Sequence, residues 1–242
     1  MTRRLRRDIR LLQAYSTLSS LLLIWLTASA FTQPNVAPGG QRIDEITVQR
    51  LNVVDADGTL RLVVAGKDRM HPGIIDGKVI DRPRPVAGMI FFNDEGDEVG
   101  GLVVSGQERD GVRRASALFA FDQLKQDQTI AIGYAEEKGQ RTAGLTVWDR
   151  ADTPLGGLID KLNAANRIPD PKQREQAIRA ARASAPPAPR RVYVGKNADR
   201  SAGVMLADAE GKARLTLRVD AGGQAAIEFL DADGQVTHRL PQ

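Results

Sequence analysis

The chain has 242 residues, 42% of them apolar, enough to bury the core of one ordinary domain or of two small ones. Its formal charge of +4 suggests nucleic acid, but Arg3, Arg4, Arg6, Arg7 and Arg10 against Asp8 account for all of it. Taken from 34 basic and 30 acidic residues, these leave 29 of each sign from Leu11 onward, and no nucleic-acid partner is expected. With no cysteine the chain has no disulfides, no thiolate chemistry, no haem attachment through CxxCH and no Cys-based zinc or iron–sulfur site, and no cofactor is expected.

The basic residues 1–10 precede Leu11–Phe31, which contains no charged side chain. About 20 such residues span a bilayer as a helix, and flanking arginines stay cytoplasmic. Residues 1–10 are therefore expected in the cytoplasm, 11–31 in a bacterial inner membrane as a single pass, and the rest in the periplasm or outside the cell. Ala28-Ser29-Ala30 offers the competing outcome, secretion after signal cleavage following Ala30. Residues 32–42, rich in Pro, Gly and amides, read as a linker to an extracytoplasmic β domain over 43–242.

That domain repeats itself. "RLNVVDADGTLRLVV", "MIFFNDEGDEVGGLVV", "LTVWDRADTPLGGLI", "VMLADAEGKARLTL" and "IEFLDADGQVTHRL" align on Asp55, Asn93, Asp149, Asp208 and Asp231. Three residues later stand Gly58, Gly96, Asp152, Gly211 and Gly234. An Asp or Asn side chain can accept from the backbone two residues on, and a glycine three later takes positive φ, the chemistry of a type I turn closing a bulged hairpin. Three copies begin with Ala-Gly, at Ala87-Gly88, Ala143-Gly144 and Ala202-Gly203. One strand face is apolar in every copy: Leu51 and Val53, Met89 and Phe91, Leu145 and Val147, Val204 and Leu206, Ile227 and Phe229. The other face is partly apolar near the turns. The fold expected is therefore mainly β, antiparallel hairpin repeats closing as a sandwich or barrel-like meander. The uneven spacing of the key residues places an irregular few-bladed propeller second.

Calcium does not fit these loops: setting Gly58 or Gly234 at the sixth position of an EF-hand puts Val53 or Phe229 at the first. "RRASALFAFDQLKQDQTIAIGYAEE" reads as another hairpin and "RRVYVGKN" as a further strand. Between them lies a helical excursion over 160–189. Asp170 is its N-cap, Pro171 its first residue, and Glu175 and Arg179 stand at i, i+4, before Ala185–Pro189 ends it.

Few residues are left for chemistry. The histidines, His71 and His238, have no metal-spaced partner, no GxSxG elbow occurs, and no metal site is expected. The polar cluster Asp122, Gln123, Gln126, Asp127 and Gln128 exceeds what a turn needs; with Trp148 as a stacking face it is the candidate site for a sugar or peptide, and His71, on a long Pro- and Gly-containing connection, joins it only if that loop and the cluster meet in one concavity. "AGMIFFNDEGDEVGGL", "FDQLKQDQ" and "AGLTVWDRADTP" resemble a group of uncharacterised bacterial proteins with an N-terminal apolar segment, over roughly Ile43 to Ile159. The resemblance implies bacterial origin and a shared architecture, with no activity attached. The function expected is a membrane-anchored binding or structural module, in an envelope assembly with a protein or glycan partner and without catalytic residues. A carboxylate-dependent envelope glycan hydrolase competes with it, as does an accessory subunit of a membrane complex.

Overall fold

A computed structural model describes residues 12–13, 15–25 and 43–241. The chain divides into two compact units, Met1–Thr47 and Val48–Gln242. In the first, the described residues between 12 and 25 are helical (α1). Thr17 Oγ1 and Ser19 Oγ donate to the carbonyls of Gln13 and Tyr15, each at 2.9 Å, so these hydroxyls bond back to their own helix. No helix among the described residues is long and apolar enough to cross a membrane. The other residues of the expected 11–31 span, namely 11, 14 and 26–31, lie outside the described ones, as does the 32–42 linker.

The second unit is built on one antiparallel sheet of twelve strands. In order across the sheet these are β1 (Arg50–Val54), β2 (Leu60–Ala65), β5 (Ala87–Phe92), β6 (Glu98–Arg109), β7 (Val112–Asp122), β8 (Gln128–Glu137), β9 (Gln140–Trp148), β10 (Arg190–Lys196), β11 (Ala202–Ala207), β12 (Ala213–Val219), β13 (Ala225–Leu230) and β14 (Val236–Leu240). A two-stranded hairpin, β3 (Ile74–Ile75) with β4 (Lys78–Val79), lies apart from it. Strands neighbouring in sequence neighbour in space throughout, so this is the expected meander. It is open, however, with β1 and β14 as free edges, and the chain closes neither a sandwich nor a barrel by itself.

The repeat turns form as their chemistry requires. The Asp55, Asn93, Asp208 and Asp231 carbonyls accept from Gly58, Gly96, Gly211 and Gly234, and those glycines take φ between +79° and +91°. Asn93 Oδ1 accepts from the amides of Glu95 and Asp97 at 2.9 and 3.0 Å, and Asp208 and Asp231 do the same two and four residues on. Two further turns of this kind, Asn197 with Arg200 and Asp220 with Gly223, were not read from the sequence. The third copy departs from the pattern. After Trp148 the chain forms no tight turn but runs through α2 (Gly156–Asn166) and α3 (Pro171–Ala183) before β10 returns to pair with β9. Asp149 N donates to the Pro189 carbonyl at 3.0 Å, closing the ends of this insertion. The helices therefore replace a hairpin turn instead of separating two hairpins, and "GGLI", Gly156 to Ile159, is helix where the repeat predicts a strand. The glycine that tightens the other turns is Asp152 here. In α3 the Asp170 side chain accepts from Gln173 N at 2.8 Å, as the N-cap reading requires.

Register sets what each face carries. Directly opposed residues across the whole sheet are Leu51, Val64, Met89, Leu102, Phe119, Ile132, Leu145, Val194, Val204, Leu217, Ile227 and Leu240. A second row on the same face, two residues nearer the Asp turns, runs from Val53 through Phe91, Phe121, Val147 and Leu206 to Phe229. A third, on the other side of the ladder, includes Val104, Tyr134, Ala143 and Val219. Fifteen large apolar side chains of these three rows are 36% to 55% exposed. The buried residues Val63, Ile90, Phe92, Ala120 and Ala131 all lie on the opposite face, where Met70 of the 66–86 segment packs against Val63, Ile90 and Phe92. The core is thus one-sided.

The face opposite the apolar rows carries the glycines of the Ala-Gly repeats. Gly133, Gly144, Gly195 and Gly203 stand directly opposite one another on four adjacent strands. A Cβ on Gly144 would lie 2.6 Å from the Val194 carbonyl oxygen and 2.9 Å from Tyr193 Cε2, so this row brings backbones closer than a side chain permits. Gly144→Ala is expected to lower stability in urea by about 1–3 kcal/mol through overpacking. Gly157→Ala, in α2 with open space around it, is expected to raise stability by up to ~1 kcal/mol. Equal effects of the two substitutions would contradict the close approach.

Candidate functional site

A cavity of about 290 Å³ opens where the covered face meets the inserted helices. Its floor is the turn end of β6–β8, with Glu98, Asp122, Asp127 and Gln128; its walls are Arg82 and Arg84 from the 66–86 segment and apolar residues of α2 with Ile178 of α3. Two clamps place these elements. Asp97, 2% exposed, accepts from the backbone amides of Asp76 at 2.9 Å and Gly77 at 2.8 Å, and so ties the β3–β4 turn to the β5–β6 turn. Asn163 of α2 accepts from Asp81 N and donates to the Val79 carbonyl, both at 2.8 Å, holding the helix to the same segment. Ile75, Leu155 and Ile159 form a small core between them.

Inside the cavity Arg84 makes a bidentate pair with Glu98, Nη1 to Oε2 at 2.6 Å and Nη2 to Oε1 at 2.8 Å, with Glu98 only 8% exposed. Burial opposes the Arg84 charge, but the Glu98 bonds outweigh it and hold the guanidinium above its ordinary pKa. Both Glu98 oxygens are occupied. Asp122 has no such relief. Burial pushes its pKa up to about 7, and the negative charges of Glu98 and Asp127 push the same way against Arg84 and Arg150. Its Oδ1 is buried without a hydrogen-bond partner in the protein.

The sequence-derived cluster divides by role. Asp122, Asp127 and Gln128 line the cavity together. Gln123 and Gln126 brace the insertion: Gln123 Nε2 donates to the Ala151 carbonyl at 3.3 Å, and the buried Gln126 donates to that of Thr153. Trp148 faces a separate groove of about 420 Å³ with Leu118, Thr146 and Tyr193, and the Arg150 guanidinium sits 5.6 Å from its ring centre. His71 stands beside the cavity-lining Pro72. Its Nδ1 accepts from Gly73 N at 3.1 Å and its ring meets Phe92 edge to face, while burial first and the Arg50 charge second depress its pKa. The imidazole therefore reads as a neutral turn-stabilising group. Glu98, Arg82 and Arg84 were missed by sequence reasoning. Glu98 hid in an acidic turn where every carboxylate looked solvated, and no periodic signal marks the arginines. Among the described residues no group of three or more His, Asp or Glu is arranged to hold a metal ion.

The bare face offers a different surface. A shallow hollow of about 690 Å³ is lined over β10–β14 by Val194, Val204, Leu217, Val219, Ile227 and Leu240. The chain matches no protein-family model. A search of curated proteins returns no match either.

A raised carboxyl pKa favours the folded state while the group is protonated. The contribution of Asp122 is complete below the unfolded pKa of 3.8, and stability falls as pH rises toward about 7, because the unfolded chain has already released the proton. Wild-type stability in urea is expected to drop between pH 4 and pH 7 by up to a few kcal/mol, roughly 1.4 for each pKa unit of displacement. Asp122→Asn should remove most of that slope; an unchanged slope would place the titration elsewhere.

Proposed function

We propose that this chain is a binding or structural module of the bacterial envelope, acting through the bare face of its sheet instead of by catalysis. One observation carries the reading: an apolar ladder unbroken over twelve strands, with fifteen large side chains at least a third exposed. Together they expose on the order of 1,000 Å² of apolar surface, beyond the 300–600 Å² of the largest patch on an ordinary monomer. Such a face is built to be covered. Covering it would complete the sandwich that the repeat pattern anticipates, a second layer about 10 Å away. The basic residues 1–10 and the uncharged Leu11–Phe31 support anchoring in the inner membrane, with the sheet in the periplasm; cleavage after Ala30 would instead release it.

The second reading, a carboxylate-dependent glycan hydrolase, draws on Asp122, whose pKa burial pushes up to about 7, beside the second carboxyl group of Glu98. Against it, Arg84 occupies both Glu98 oxygens, and about 290 Å³ lies at the small end of ligand pockets, with no room for a polymer.

A photoreactive residue at position 132, centred on the bare face, is expected to give a discrete covalent adduct with protein in intact cells. The same residue at position 135, exposed on the other face of β8, should give little. Equal labelling at both positions, or adducts with lipid and water alone, would remove the reading.

A further inference from the structure

We infer that the occupant of the bare face is a second copy of this chain, laid face to face so that two open sheets form one sandwich. This rests on the reading of that face as the working surface and names its partner. Area comes first. About 1,000 Å² of apolar surface per copy exceeds the ~800 Å² per partner of a stable interface, and its composition matches the apolar centre of homodimer interfaces.

Charge selects the occupant. The three apolar rows contain one charged side chain, Lys196, whose Nζ is bound to the Arg141 carbonyl at 3.0 Å, so apposing two identical faces brings no set of like charges together. Where the face turns polar, toward the far ends of β6–β9, its charges are already neutralised in pairs. Glu136 accepts from Arg141 at 2.9 Å and from Tyr134 at 2.8 Å, and Glu108 accepts from Arg113 at 2.9 Å. A surface meant for an anionic bilayer carries a fringe of free lysines and arginines, whereas on the apolar side of these strands the arginines Arg113 and Arg141 are paired with Glu108 and Glu136, and among the described residues only Arg109 and Lys138 at the hairpin tips are without an acid partner. An apolar centre within a self-neutralised polar rim suits a copy of itself.

Symmetry then fixes what meets what. A two-fold between apposed sheets passes over the middle of the twelve strands, between the sixth and seventh, β8 and β9. Ile132 and Leu145, opposed on those strands, come to lie near their own counterparts. Ile132 is the most exposed of the ladder at 55%.

The chain contains no cysteine, so Ile132→Cys creates the only thiol in the molecule. With the full chain in its native membranes, a short bis-maleimide is expected to convert Ile132→Cys to a covalent dimer of twice 26.3 kDa. The yield should be about tenfold above that of Ala135→Cys, as proximity raises effective concentration. Leu145→Cys should behave like Ile132→Cys and guards against a folding defect at one position. Equal dimer yield at 132 and 135 would mean contact through the sheet edges or random collision, and would overturn the inference. So would free modification of Ile132→Cys and Leu145→Cys by a monofunctional maleimide at the rate of Ala135→Cys without dimer. Cross-linking of position 132 to a different protein alone would also overturn it, while leaving the reading of the face intact; only protein-free adducts there would remove both.

Discussion

Register is the constraint on which the rest of this structure depends. Side chains alternate faces with a period of two, so a slip of one residue in any of the twelve strands would carry its apolar set to the other side. The turns prevent the slip. At Asn93, Asp208 and Asp231 a carboxylate or amide binds the backbone it has just turned, and there and at Asp55 a glycine with positive φ closes the hairpin with a bulge. Because each turn fixes the offset of its two strands, the apolar residues stay in line from Leu51 to Leu240. The same regularity leaves them uncovered: the tight hairpin turns supply no segment with which to cross this face. The two segments long enough to cross anything, 66–86 and 149–189, lie over the opposite face.

Those two long connections explain why the covered face is the chemically varied one. They bring Arg84 to Glu98 and roof Asp122, leaving one carboxyl group held in a tight bidentate pair and another driven toward neutrality by burial within the same small cavity. The acids of the repeat thus have three fates. Most bend backbone, Asp97 clamps a neighbouring hairpin through two amides, and Asp122 is left buried with an unfilled acceptor. The architecture needs the first two. Asp122 reduces stability at neutral pH, an asymmetry that sets it apart from the turn acids.

Much of the fold was legible in the sequence because turn chemistry and alternation are local. Asp55 through Gly58 contains nearly all the information its hairpin needs, and so does Asp231 through Gly234. The third copy misled for the same reason. Asp149 stands at the key position and Gly156-Gly157 repeats Gly100-Gly101, yet one pair lies in β6, where a Cβ on Gly100 would run into the Ala120 carbonyl, and the other opens a helix. Dipeptide identity does not carry that difference; the missing glycine at Asp152 does. Closure was not legible either, since an apolar face reads the same whether its own chain or another molecule covers it. Of the candidate site, Asp122, Asp127 and Gln128 were found as an excess of polar groups over turn requirements. Glu98 and Arg84 could not be, because their pairing spans a long connection and depends on burial that only the fold creates.

The proposed cover for the bare face would make the molecule half of a layered structure, its other face being finished by its own insertions. Hydroxyl-radical footprinting of the full chain in the cells that express it tests that most directly, through Phe119, Phe121, Tyr134 and Phe229, which the isolated sheet leaves 36% to 47% exposed. Oxidation of these rings as slow as that of the buried Phe92 is the predicted result; oxidation as fast as in an unfolded peptide would contradict the account.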